Sequence, residues 1–333
     1  MKFLILGAII LIHLVVLGFL LGPCSPERGG APQPEAGAAA AAPSDVAAPA
    51  AEAPVSSLTF GPRFYSESLA VLPPAVANAA QECAVGIVVD WSARTVLWKK
   101  QDEKAVPIAS LTKMMTVLML MDALEKDPAL TLQTPVQVTK EASLVGGRQV
   151  WLDPHETFTL DQLLKCTLIF SANDAAYLLG QFLAGGDCAT FVSRMNSHAR
   201  ELGLQHFTFH NPNGLPEGPR ELENTGSARE LSYLAGRLLN YPAVLKWSQT
   251  QNETLASPRR KPSTMLTSTN KLLGTVPGVN GMKTGFTDDA GWCMAATCTR
   301  GGRTVIVVVT GCKEAKSRNA LVASLVNWAY DQN

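Results

Sequence analysis

Apolar and polar positions along the chain mark out three regions. Residues 3–21 are apolar apart from His13, and about 20 such residues suffice to cross a bilayer or to form a secretory h-region. Residues 25–56 are mostly Ala, Pro, Gly and Glu without an aromatic side chain. Such a segment buries too little surface to offset its ordering entropy, and reads as a disordered linker with a reach on the order of 100 Å at full extension. Beyond it the pattern is that of a folded domain. The expected organisation is a signal peptide or N-terminal membrane anchor over 1–22, a linker over 23–57 and a folded domain over 58–333.

Within the folded region, the β-rich runs 84–90 and 95–99 flank a short polar turn and predict a hairpin. A helix is expected from Ser110 to about Glu125, and a short strand at 136–139. The segment 146–152 reads as a loop or small hairpin. Leu160, Leu163, Leu164, Thr167 and Leu168 recur with the helical period, with Thr159 placed to cap them. That helix should end at 170–173, followed by helices from Asp174 to Leu183 and from Phe191 to Leu202. The segment 210–216 is a loop, and Ser227 caps a helix to Leu239. Strands at 291–299 and 304–310 meet at Gly301-Gly302, a two-residue hairpin turn, and an amphipathic helix closes the chain at 316–330. Strands at both ends around a helical middle predict an α+β fold: one antiparallel sheet built from both termini, flanked by helices, beside an all-helical region.

Composition narrows the chemistry. The formal net charge is zero and no dense basic run occurs, which excludes nucleic acid as the expected partner. Of seven cysteines, Cys24 follows Leu21-Gly22-Pro23 in the manner of a lipoprotein cleavage box. The other six form an even set that an exported domain could pair, or keep as buried thiols; none has CxxC spacing, so no structural metal is expected. With neither HExxH nor GxSxG, zinc-hydrolase and α/β-hydrolase readings lose support, and no cofactor is expected. His206 to His210 alternates like a strand.

The chemistry lies in Ser110-Leu111-Thr112-Lys113. One helical turn brings the lysine to the face of the serine. A hydroxyl becomes a nucleophile only when a base removes its proton, and an amine can do so only when neutral. Burial beside a second cation produces such an amine. The same spacing recurs at Ser268-Thr269-Asn270-Lys271, so context decides: the first copy is followed by Ser171-Ala172-Asn173 between two helices and by Lys283-Thr284-Gly285 opening a strand region. This ordered triple is found in penicillin-binding proteins and class A β-lactamases.

Over residues 58–331 the sequence resembles the serine D-alanyl-D-alanine carboxypeptidases, the low-molecular-mass penicillin-binding proteins (peptidase family S11). The motifs Pro107 to Lys113, Phe170 to Ala176, Phe191 to Asn196, Asn211 to Leu215 and Gly281 to Thr287 carry the likeness. The resemblance implies a β-lactamase/transpeptidase-like fold, peptidoglycan stem peptides as substrate and acylation by β-lactams. It implies Ser110 as the acyl-ester nucleophile, Lys113 as general base, Ser171 as proton relay, Asn173 on the substrate amide and Lys283 as the second cation. Thr284, Gly285, the Phe286 backbone N–H as part of an oxyanion hole, and Arg318 would bind substrate. The cell envelope is the implied location, the periplasm with the N-terminal segment at the inner membrane.

Three rivals remain at this stage. A β-lactamase would need a carboxylate for deacylation, and Glu221 or Glu223 in Arg220-Glu221-Leu222-Glu223-Asn224 has the wrong spacing. A D,D-endopeptidase acting on cross-links fits a chain without an extra β-domain after its last helix. A non-enzymatic cell-wall binding module is disfavoured by the complete set of catalytic positions.

Overall fold

The computed structural model describes residues 65–218 and 222–332. The expected leader (1–22) and the linker (23–57), with Cys24, lie outside the described residues. In chain order the strands are β1 (Ser66–Glu67), β2 (Val85–Asp90), β3 (Thr95–Lys100), β4 (Val106–Pro107), β5 (Pro135–Gln137), β6 (Thr157–Thr159), β7 (Thr225–Gly226), β8 (Asn252–Leu255), β9 (Thr264–Thr267), β10 (Val279–Thr287), β11 (Gly291–Arg300) and β12 (Arg303–Cys312). The helices are α1 (Pro74–Ala80), α2 (Lys113–Lys126), α3 (Lys140–Ser143), α4 (Leu160–Lys165), α5 (Asn173–Leu183), α6 (Cys188–Glu201), α7 (Ala228–Leu238), α8 (Pro242–Ser248) and α9 (Ala315–Asp331).

The main sheet runs β1-β3-β2-β12-β11-β10, so both ends of the domain contribute to it as expected. Every neighbouring pair is antiparallel except β1 with β3. Strands β2 and β12 are central and covered on both faces, which is why Val85–Val89 and Val305–Val309 read as continuous apolar runs rather than alternating ones. Successive residues still serve opposite sides. Val305, Val307 and Val309 pack with Leu321, Val322 and Leu325 of α9, whereas Ile306 and Val308 join the core that contains α2, α5 and α7. Gly301 and Gly302 turn the β11–β12 hairpin at φ 56° and 81°, where side chains are strained.

The helical middle follows its capping signals. Thr159 and Gln162 form a reciprocal cap, the Gln162 N–H donating to Thr159 Oγ1 at 3.2 Å and the Thr159 N–H to Gln162 Oε1 at 2.9 Å. Ser227 Oγ accepts the Glu230 N–H at 3.2 Å. Helix α6 begins three residues before the expected Phe191, because Asp187 accepts the Ala189 and Thr190 N–H groups, each at 3.1 Å. The alternating segment 206–210 is not a strand. Only Thr208 bridges Thr225, and the Asn196 side chain pairs with the Phe209 backbone on both sides instead, at 2.9 and 2.8 Å. Strand β5 finds its partner in β6, and the hairpin β8–β9 and helices α1 and α8 are additions to the expected set. The six cysteines of the described region are free thiols, all buried except the half-buried Cys188.

Candidate active site

The Ser110–Lys113 motif occupies a kinked entry to α2. Ala109–Thr112 form a 3₁₀ turn and the α-helix proper begins at Lys113, so the expected single helix is two segments. Asn224 braces the turn from behind, its backbone O accepting the Ile108 N–H at 3.0 Å and its Nδ2 donating to Thr112 Oγ1 at 3.0 Å. The loop 211–215 closes over the same turn. Thr116 Oγ1 donates to Pro212 O at 2.6 Å, and Gly214 sits at φ 76°, where a Cβ would lie 1.9 Å from Ala109 O. Only glycine permits that approach.

This brace fixes the environment of Lys113, which is fully buried. Its Nζ lies 2.9 Å from Ser110 Oγ, 2.7 Å from Asn173 Oδ1 and 2.6 Å from Asn213 O. A neutral amine has two N–H donors and one lone pair. The two carbonyl oxygens can only accept, so the lone pair is left for the Ser110 hydroxyl. Burial holds Lys113 well below the ordinary lysine range; Lys283 and Arg148 push it the same way, and Asp174 opposes them.

The second motif is delivered by an irregular helix end. Helix α4 continues into a π-helical turn, Cys166–Phe170, which Ser171 terminates in the left-handed conformation at φ 67°. That reversal presents the Ser171 hydroxyl to Lys283, whose Nζ donates to it at 2.7 Å and to Thr284 O at 2.8 Å. Lys283 is lowered to about 7, by burial first and then by Arg148 and Arg318. Asn173 opens α5 and is anchored at three points: Lys113 on its oxygen, Gly146 O accepting from its Nδ2 at 3.0 Å, and Arg148 O accepting from its backbone N–H at 2.7 Å. Next to it the buried Asp174 carboxylate accepts the N–H groups of Val150, Leu152 and Ala175, at 3.1, 3.1 and 2.9 Å.

The third motif lies inside β10, where β11 backs it in register, Lys283 opposite Ala295 and Thr284 opposite Met294. The strand passes so close to the nucleophile turn that a Cβ on Gly285 would stand 3.0 Å from Ser110 N. Thr284 Oγ1 donates to Thr269 Oγ1 at 2.7 Å. The half-exposed Phe286 ring stacks on Trp292 with centroids 4.3 Å apart. Arg318 is not a solvated helix residue: it is 3% exposed, donates to Cys293 O at 3.2 Å, and its guanidinium carbon lies 5.6 Å from the Trp292 ring centroid.

Ser110, Ser171, Asn173, Thr284, Gly285, Phe286 and Arg318 all line one cleft of about 540 Å³, with the buried Lys113 and Lys283 bonded to the serines that line it. The structure therefore brings the residues expected at the site together around one cleft. The second Ser-x-x-Lys copy forms part of the same wall, but Lys271 Nζ points to Ser268 O at 3.2 Å rather than to the hydroxyl. Sequence reasoning missed the carbonyl of Asn213 as the third contact of Lys113, although Pro212-Asn213-Gly214 marks a tight loop. It also missed Arg148. Neither Glu223 nor Asn224 lines the cleft.

The chain as a whole is similar to known proteins. The family model for D-alanyl-D-alanine carboxypeptidase, peptidase S11, matches residues 73–314. The D-alanyl-D-alanine carboxypeptidase DacF of Bacillus subtilis is 33% identical over 275 residues, covering 83% of this chain and 68% of that protein. The D-alanyl-D-alanine endopeptidase of Pseudomonas aeruginosa is 32% identical over 241 residues, covering 71% of this chain and 74% of that one. The structure of penicillin-binding protein D2 from Listeria monocytogenes in its ampicillin-bound form superposes with a TM-score of 0.66 at 28% identity, over 75% of this chain and 98% of that one. A family model spanning most of the chain, met by three motifs converging on one buried amine, leaves a single assignment: the chain belongs to the D-alanyl-D-alanine carboxypeptidase family, peptidase S11.

Proposed function

We propose that the protein is a serine D,D-carboxypeptidase that removes the terminal D-alanine from peptidoglycan stem peptides and is acylated by β-lactams. The observation that carries this reading is the Lys113 amine, fully buried, 2.9 Å from Ser110 Oγ and held below its ordinary pKa. Lys113 takes the Ser110 proton as Oγ bonds to the carbonyl carbon between the two D-alanines. Backbone N–H groups of Ser110 and Phe286 receive the oxyanion. The C–N bond then breaks, Ser171 relays the proton held by Lys113 to the leaving amine, and Arg318 with Thr284 holds the carboxylate of the departing D-alanine. Water attacks the ester and restores the Ser110 hydroxyl. The ampicillin-bound relative from Listeria supports the β-lactam arm.

The test is intact mass after penicillin treatment with the adduct mapped by peptide, beside D-alanine release from a stem pentapeptide. The wild type gains one adduct on Ser110 and releases D-alanine; Ser110→Ala does neither. An adduct elsewhere, or release by Ser110→Ala, refutes the assignment, and rapid turnover of penicillin moves the enzyme to the β-lactamase class. A second reading, cleavage of cross-links in the same site, draws on the Pseudomonas endopeptidase at 32% identity. Digestion of isolated muropeptides separates the two, because a carboxypeptidase trims monomers and an endopeptidase cuts dimers. The apolar run at 3–21 and the linker support an enzyme exported to the envelope and tethered at the membrane surface.

A further inference from the structure

The cleft carries more positive charge than its reaction needs. Besides the buried lysine pair, Arg148, Lys271 and Arg318 line it, and among the described residues no Asp or Glu does. Arg318 and Thr284 hold the sheet side, where the leaving D-alanine carboxylate is accommodated. Arg148 belongs to the facing wall, beside Asn173, whose backbone N–H its carbonyl accepts at 2.7 Å. Ser110 lines the cleft together with both walls, so a substrate whose leaving carboxylate is held at Arg318 extends its acyl half toward Arg148.

Arg148 is a fixed base with a free tip. The segment behind it is clamped from two sides: the Asp174 carboxylate takes the Val150 and Leu152 N–H groups, while Arg260 donates to Val150 O at 2.6 Å and Trp151 O at 2.9 Å. The guanidinium lies 5.2 Å from the Phe170 ring centroid, the side chain is exposed, and among the described residues no carboxylate pairs with it. A planar cation lying against an aromatic ring with its N–H fork unspent suits a carboxylate ligand.

We infer that Arg148 is a specificity-determining residue that binds a carboxylate on the side chain of the residue preceding the D-alanine pair, so that the enzyme selects stem peptides bearing an acidic group there. The inference rests on the carboxypeptidase reading. It extends the recognition of substrate from one end of the scissile bond to both.

The test uses three N-acetylated tripeptides X-D-Ala-D-Ala, with X carrying a terminal side-chain carboxylate (2-aminopimelate), a neutral amide (Nε-acetyl-lysine) or an ammonium (lysine). The wild type should favour the carboxylate peptide over the lysine peptide on the order of tenfold, mainly in KM, with the ratio shrinking as salt rises. Arg148→Ala should abolish the ratio, Arg148→Glu should invert it, and Arg148→Lys should retain part of it. Because Arg148 also lies near Lys113 and Lys283, its loss changes all three rates by a common factor, which cancels in the ratio. A wild-type ratio of one, or a ratio that survives Arg148→Ala, overturns the inference while the neutral peptide is still hydrolysed. Failure to hydrolyse any peptide together with an unmodified Ser110 after penicillin treatment overturns the carboxypeptidase reading, and the inference with it.

Discussion

Asp174→Asn tests the electrostatic argument where stability and reactivity move in opposite directions. Asp174 is fully buried and its two oxygens accept three backbone N–H groups, with Leu152 on Oδ2, Ala175 on Oδ1 and Val150 nearer to Oδ2. An asparagine can place its one oxygen toward Val150 and Leu152, which turns its NH2 against the Ala175 N–H. One buried donor then loses its acceptor, a cost of about 1–3 kcal/mol. At roughly 2–4 °C per kcal/mol for a domain of this size, the melting temperature falls by about 2–12 °C. The carboxylate is also the one charge that favours protonated Lys113 against burial, Lys283 and Arg148. Without it the lysine pKa drops further, so more of the amine is neutral at a given acidic pH. The acid limb of Ser110 acylation therefore moves to lower pH even as the protein becomes less stable. Differential scanning fluorimetry and pH-dependent labelling with a fluorescent penicillin measure the two effects on one sample. An acid limb that stays in place or moves to higher pH refutes the assignment of Lys113 as the base.

Lys283 titrates near 7 in the folded state against about 10.4 unfolded, so the unfolded chain binds more protons between these values and wild-type stability rises with pH across that window, by up to about 1.4 kcal/mol per unit. Denaturant titrations at pH 6.5, 8 and 9.5 should show Lys283→Met losing its stability advantage as pH rises; a constant difference would count against the burial of an uncharged amine. Gly214→Ala forces a Cβ to within 1.9 Å of Ala109 O at a positive φ, and should cost roughly 2–4 kcal/mol and slow acylation, both measurable on the purified variant. A ligand ending in D-Ala-D-Ala brings a carboxylate that offsets Arg318, one of the cations depressing Lys283. Binding to Ser110→Ala near pH 7 should therefore take up a fraction of a proton, seen by calorimetry in buffers of different ionisation enthalpy; zero uptake would contradict Arg318 as the carboxylate site.

What could be seen in the sequence was what is encoded locally. Ser110 and Lys113 are three residues apart, Thr159 and Ser227 cap the helices that follow them, and Gly301-Gly302 turns its hairpin, because each depends on neighbours in the chain. The apolar runs at 85–89 and 305–309 announced the central strands. What escaped depends on distant partners. The Lys283–Ser171 bond joins residues 112 apart, and the Asn213 carbonyl reaches Lys113 across 100. The 3₁₀ turn at 109–112 looks like helix in sequence and is diverted by Gly214 and Asn224 packing on it. Strand β10 begins at Val279, ahead of the Lys283 at which the sequence opens a strand region, because Asn280 and Gly281 are weak strand formers, held in place by pairing with β11. Arg148 carried no motif; its meaning appears only when the loop is seen to form a wall of the cleft.

The cations of this site meet two demands with one arrangement. A base near neutral pH requires Lys113 to be uncharged, which burial and neighbouring positive charge both favour. An anionic peptide requires a positive cleft, and the same charges supply it. If burial alone lowered the lysine, the cleft would be reactive but indifferent to charge. If exposed cations alone drew the substrate, water would screen them and leave the lysine protonated. Placing Lys283 and Arg318 in the interior, with Arg148 and Lys271 exposed along the cleft, lets one field act on both Lys113 and the substrate. Asp174 limits that field where it would otherwise destabilise the fold, and it does so through the segment that carries Arg148.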